Sequence, residues 1–156
     1  MPSYTIQELR SEDRICVFNH LLRLDKADRY TRFCSAANDA FIHMYAYQKL
    51  DFKNGKVFGA VDENGRVIGI AMACHVESPG GHTEIEAAFS IDKENRGQGV
   101  AQQLMDAIVL YCNNHGVTRL CMECLRYNQK MRALAVRSGL EITVSAQEAY
   151  AETRFA

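Results

Sequence analysis

Short apolar runs of strand length recur along the chain, separated by polar and glycine-rich breaks. YTIQEL (4–9), KVFGAVD (56–62), RVIGIAMACHV (66–76), TEIEAAFSI (83–91) and VTRLCMECL (117–125) each predict a strand, and LEITVSA (140–146) with AYAETRF (149–155) predicts a closing hairpin. In TEIEAAFSI the odd positions are Ile85, Ala87, Phe89 and Ile91, the even ones Glu84, Glu86, Ala88 and Ser90. One face of that strand therefore belongs to the core and the other is polar. ENG (63–65) between two apolar runs predicts a hairpin turn, and SPGGH (78–82) another.

Elsewhere the period lengthens. Ser11 is a helix N-cap, with Glu12 and Asp13 in the first turn and Ile15, Phe18, Leu21 and Leu22 as the apolar stripe. A second helix starts at Asn38 or Asp39 and groups Phe41, Ile42, Met44 and Tyr45; RLDKADRYTRFC (23–34) between the two reads as a polar connection. A third, from about Gln98 to His115, carries Val100, Leu104, Ala107, Ile108 and Tyr111 and stops at Gly116. Asn128 caps a fourth, which runs through Arg137 and ends at Gly139. The order β-α-α-β-β-β-α-β-α-β-β defines an α/β (α+β) chain with a mixed, mostly antiparallel sheet and one strand-helix-strand crossover.

Composition narrows the function classes. A length of 156 residues fits one domain, 1–156, able to bury a core without disulfides or metal. A formal charge of -1 argues against nucleic acid as a partner. The N-terminus has no apolar signal core, and no apolar run approaches the roughly 20 residues that span a bilayer, so a cytoplasmic chain without a membrane partner is expected. Most of the six cysteines sit in apolar-periodic segments, where Cys acts as a small hydrophobe. The pair in CMEC (121–124) resembles a metal motif, but residues three apart on a strand face opposite sides. His75 and His82 lack a third ligand at metal spacing, so no metal is expected.

The chemistry concentrates in IDKENRGQGVAQQL (91–104), a strand end running through a glycine-containing loop into a helix. Such a junction leaves several N–H groups unpaired at the positive end of the helix dipole, a setting for pyrophosphate. Gly97 and Gly99 permit close approach of the backbone, and Arg96 supplies a charge. Neither the dinucleotide fingerprint nor the P-loop spacing is met. RGQGVA (96–101), with Asn128 after the next strand and Gly139 near the end, resembles the GNAT superfamily of N-acetyltransferases, over roughly three quarters of the chain. DRYTRFCSAANDAF, TEIEAAFSID and NQKMRALAVRSGL look most like the acetyltransferase domain of bacterial protein lysine acetyltransferases.

The resemblance implies a sheet splayed at the acetyl-CoA site and acetyl transfer from acetyl-CoA, the co-substrate, to a primary amine. That acceptor is a protein lysine or a small molecule, and the chain a monomer or homodimer. By that resemblance the pyrophosphate rests on Gly97, Gln98, Gly99, Val100, Ala101 and Gln102, with Arg96 and Arg132 near the phosphates. The pantetheine runs beside Phe89, Ser90 and Ile91 and meets Asn128, while Glu86 matches the general base. Glu84 lies on the same face roughly 7 Å away, where its like charge raises a carboxylate pKa. The acceptor enters against the first two helices, with Phe41, Tyr45 and Tyr47 as an apolar wall and Asp39, Glu77 or Glu84 attracting a cation. Ala135 stands where many relatives have a tyrosine acid, leaving Tyr111 or Tyr127 as substitutes. The same departure motivates a second class of function, a non-catalytic acyl-CoA sensor.

Overall fold

The computed structural model describes residues 3–77, 80–144 and 148–155. Seven strands form one sheet in the order β1 (Tyr4–Leu9), β2 (Lys56–Asp62), β3 (Val67–Glu77), β4 (Thr83–Ile91), β5 (Arg119–Leu125), β7 (Glu148–Arg154), β6 (Glu141–Val144). Every neighbouring pair is antiparallel except β4 and β5. Those two are parallel because the connection between them is a crossover through α4 (Val100–Asn114), as the sequence order requires. The expected mixed α/β architecture is the observed one. Ser78 and Pro79 of the second turn, Ser145 and Ala146 of the closing hairpin and the side chain of Glu77 lie outside the described residues.

Two apolar clusters sandwich the sheet. On one face Val100, Leu104, Met105, Ile108 and Cys112 of α4 pack on Ile85, Ala87, Phe89 and Ile91 of β4, joined by Leu134 and Ala135 of α5 (Gln129–Arg137). Each large side chain buried in this way contributes about 1.5–3 kcal/mol relative to exposure. On the other face α1 (Arg14–Arg23) and α3 (Asp39–Met44) cover Ile70 and Met72 of β3.

Three helical readings change. Ser11–Asp13 forms a 3-10 turn, and α1 then buries Val17, His20 and Leu21, leaving Ile15 half exposed. The stripe is turned because a polar residue, His20, occupies a core position. Its Nδ1 donates to Asp92 Oδ1 at 2.7 Å, and the Ser90 hydroxyl meets Nε2 at 2.8 Å, so both ring nitrogens are satisfied. Arg23 also holds Asp92, at 3.0 Å, and the network ties α1 to the end of β4. Secondly, the supposed polar connection contains α2 (Lys26–Phe33), capped by Asp25, whose carboxylate accepts from Asp28 N. α2 is eight residues long and strongly polar on average, so its few apolar positions, Ala27, Tyr30 and Phe33, are too sparse to mark a helix in the sequence. Thirdly, α3 is short, capped by Asn38 as expected, and widens into a π-helical turn over Tyr45–Lys49.

Candidate active site

Strand β4 is two-faced by its own alternation, and it changes partner along its length. It pairs with β5 only from Glu84 opposite Arg119 to Glu86 opposite Cys121. Beyond that register β4 continues to Ile91 and β5 to Leu125 with no ladder between them. Their divergence opens a cavity of about 630 Å³, walled by Phe89, Ser90 and Ile91 on one side and by Met122, Glu123 and Cys124 on the other. An extended chain entering there meets two unpaired strand edges, the geometry of an added strand.

At the mouth, β4 passes through a 3-10 turn at Lys93–Asn95 into the loop 96–99 and then into α4. Gly97 and Gly99 have φ +77° and +79°, the left-handed region that only glycine enters at little cost. A Cβ at Gly97 would meet nothing within 4 Å, so the backbone angle rather than crowding demands glycine there. No side chain caps α4, which leaves the amides of Val100, Ala101 and Gln102 without an acceptor one turn earlier, at the positive end of the helix. The loop residues Arg96, Gly97 and Gly99 line the cavity with them. Gln98 does not; its carbonyl instead accepts from the Tyr4 hydroxyl at 3.1 Å, a strap from β1 that the sequence did not reveal.

Charges around the loop depart from expectation. The Arg96 guanidinium pairs with Asp28 of α2 at 2.9 Å and donates to the Ile91 carbonyl at 3.1 Å, so it braces the loop. Arg132 does not reach the cavity: it donates to the Arg126 carbonyl at 2.9 Å. Arg137 takes the place expected for it, lining the cavity and donating to Gln102 Oε1 at 3.3 Å. The sequence treated Arg137 only as the last residue of a helix, and its spacing of nine from Asn128 carries no signal without the fold. Asn128 is the expected α5 cap, accepting from Met131 N at 3.2 Å, and it also lines the cavity.

The carboxylates divide. Glu84 forms an ion pair with Arg119, which also donates to Glu152 at 2.8 Å. The expectation that Glu84 stands as a bare like charge beside Glu86 is therefore corrected, since Arg119 neutralises it. Glu86 is exposed on the same face, adjacent to Cys121 on β5, and is not part of the cavity wall. Glu123, two residues further along β5 on that face, does line the wall. Withdrawal of its stem from solvent, then the charges of Glu86 and Glu148, hold its pKa above the ordinary glutamate value. Inside CMEC, Glu123 carries no sequence signal of its own that separates it from a solvated strand charge. Those thiols do face opposite ways: Cys121 shares the face of Glu86 and Glu123 and contacts Tyr150, while Cys124 lies on the other face of β5 and lines the cavity.

The aromatic residues expected to wall the acceptor site serve as packing. Phe41 and Tyr45 pack against Phe33 with ring centroids 5.3 and 5.1 Å away, and Tyr47 stacks on His43 at 4.7 Å. Asp39 pairs with Arg29 at 2.8 Å. Neither tyrosine considered as an acid reaches the cavity. Tyr127 is 70% exposed, and Tyr111 stacks on His115 and meets His75 at 3.3 Å. Ala135 is buried in the core behind α5. Among the described residues no group of three or more potential metal ligands exists, and no helix is long and apolar enough to cross a membrane.

A sheet splayed between two parallel strands, with a glycine loop and a bare helix N-terminus at its mouth, is a geometry suited to an extended arm that carries phosphate. Residues 18–140 match the model of the acetyltransferase (GNAT) family, and the chain belongs to that family. Solved structures agree at the level of fold. The GNAT domain of S. lividans PAT superposes with a TM-score of 0.80 at 18% identity, over 97% of this chain and 90% of that one. A phosphinothricin acetyltransferase from Sinorhizobium meliloti in complex with AcCoA gives 0.73 at 18% identity, over 98% and 89%. Spermidine N-acetyltransferase from Vibrio cholerae, in complex with CoA and spermine, gives 0.73 at 16% identity, over 97% and 95%.

Proposed function

We propose that this protein transfers the acetyl group of acetyl-CoA to a primary amine by direct attack, with the carboxylate pair Glu86 and Glu123 managing the amine's proton. The observation that carries the reading is the raised pKa of Glu123 in the wall of the strand splay. An alkylammonium ordinarily ionises near pKa 10.4, so attack at neutral pH needs a base within reach. Glu123 accepts the proton. Glu86, the residue expected from the motif, supplies the neighbouring negative charge that makes Glu123 a better base. The loop amides 97–102 hold the pyrophosphate, with Arg137 beside them, and the edge of β4 at Phe89, Ser90 and Ile91 pairs with the pantetheine. The leaving thiolate ionises near pKa 8.5 and departs without a tyrosine acid, consistent with Ala135 in the core. A protein lysine and a free amine both satisfy this chemistry, and the names of the fold neighbours include a spermidine and a phosphinothricin acetyltransferase.

The test is release of CoA thiol across a panel of amines and lysine peptides. Glu123→Gln should lower kcat roughly 100-fold or more near pH 7 while leaving the acetyl-CoA Kd unchanged. Glu86→Gln should act more mildly and move the acid limb of the kcat/KM profile to lower pH, because losing a like charge lowers the pKa of Glu123. The opposite ranking of the two variants would return the base to Glu86. Acetyl-CoA binding with no thiol released by any acceptor would establish the sensor reading.

A further inference from the structure

Arg32, near the C-terminal end of α2, lines the cavity. Its Nη2 donates to the Tyr45 hydroxyl at 2.9 Å and contacts Met72 Sδ at 3.4 Å, and its guanidinium carbon lies 4.7 Å from the centre of the Phe33 ring. Every one of these partners is neutral, and a thioether is a weak acceptor. Nε is buried with no partner, Nη1 has none among the described residues, and none of their carboxylates comes within ion-pairing distance of the group. The Phe33 and Tyr45 rings offset part of the charge's desolvation, and the buried Nε still lacks an acceptor.

Its position says what relieves that condition. Met72 pairs with Ala88 across β3 and β4, so Arg32 stands level with Ala88 on the face that carries Glu86 and Glu123. Along the strand that is about 7 Å from Glu86 and about 10 Å short of Ile91, where the loop toward the phosphate site begins. The coenzyme phosphates are served by other groups at that far end. Arg32 faces the zone where the amine must approach.

We propose that Arg32 is a specificity-determining residue that receives a carboxylate of the acceptor, and that the acceptor is a primary amine carrying its own carboxylate, of the amino-acid class. The planar guanidinium matches a carboxylate with two parallel N–H donors, while Glu123 in the cavity wall faces the ammonium. The two charges of a zwitterion thus meet two opposite charges on one face of the cavity. A diamine or a lysine side chain within a neutral peptide would leave Arg32 unanswered. The inference rests on the transferase reading for its direction of attack, but its test does not need turnover.

The probes are the N-acetyl forms of the twenty amino acids and their primary carboxamides, titrated by calorimetry into the protein saturated with CoA. At least one N-acetyl amino acid should bind ten or more times tighter than its carboxamide, as expected for a charge-assisted pair. Arg32→Gln should level the two, and Arg32→Lys should restore part of the difference, with the CoA Kd held constant in both. In turnover, lysine and ornithine should exceed cadaverine and putrescine in kcat/KM through KM. Equal binding of acid and carboxamide by the wild-type protein overturns the proposal whether or not a variant folds. Carboxylate-selective binding without thiol release would sustain it while refuting catalysis; rapid acetylation of carboxyl-free amines at equal kcat/KM would do the reverse.

Discussion

His20 shows how a single residue couples fold and pH. It is fully buried, and burial drives its pKa below 6.5 more strongly than the hydrogen bond and charge of Asp92 raise it. The ring is therefore neutral, and Asp92 fixes its tautomer by accepting from Nδ1. With a folded pKa depressed below the unfolded value, the unfolded chain binds the proton more readily. The stability from keeping His20 neutral is complete above about pH 6.5 and is lost as pH falls below it. Asp92 follows in a lower window. Desolvation raises its pKa, but His20 and Arg23 together outweigh that and hold it below 3.8, so its contribution is lost only under stronger acid. Thermal unfolding followed from pH 7.5 to 5 should show a falling midpoint below about 6.5. In His20→Gln that slope should flatten, while stability at pH 7.5 drops by roughly 1–3 kcal/mol because Asp92 and Ser90 lose a buried partner. An unchanged slope in the variant would assign the acid sensitivity to other groups.

Among the elements, α2 separates site from scaffold. Its polar residues Asp28, Thr31 and Arg32 face the cavity, and no residue of it is fully buried. What holds it is the packing of Phe33 on Phe41 and Tyr45 together with polar contacts: the Asp25 cap, the pair of Asp28 with Arg96 at 2.9 Å, and Arg29, which donates to the Leu24 carbonyl at 2.9 Å. Removing the cap with Asp25→Ala should cost the helix about 1 kcal/mol. Hydrogen exchange should then accelerate at the amides of Lys26–Phe33 and leave α4, which buries five residues, unchanged. Equal acceleration in both would mean that α2 belongs to the cooperative core. The same contrast explains what was legible. The strands and α4 bury one face, so apolar spacing marks them: Val100, Leu104 and Ile108 fall where expected, and Ile85, Ala87, Phe89 and Ile91 form the core face of β4. A short helix that faces a polar cavity keeps only Tyr30 and Phe33 as large apolar residues, too sparse a stripe to mark α2 within so polar a run. Arg32 went unseen with it.

At the scale of the whole molecule the candidate site is a defect in sheet pairing, and local patterns do not encode it. Gly97 and Gly99 line it at the α4 end and Asn128 at the start of α5. The width between depends on where β5 stops pairing with β4, after Glu86 opposite Cys121, a register set by partners about 35 residues apart in sequence. For the same reason Glu123 was invisible as a site residue, since only the splay turns its face into a cavity wall. The defect leaves β4 from Ala87 onward and β5 from Met122 onward without ladder bonds to each other. An extended ligand that pairs with both edges should bind the folded state alone and close the gap. At one hundred times its Kd such a ligand adds about 2.7 kcal/mol, which for a domain of this size raises Tm by roughly 5–11 °C. A scan with CoA should reach that shift. Pantetheine alone, lacking the diphosphate proposed to rest on the amides of 97–102, should need far higher concentration for the same effect. A shift of equal size from pantetheine at equal concentration would mean that the glycine loop contributes nothing to binding and that the splayed strands hold the ligand unaided.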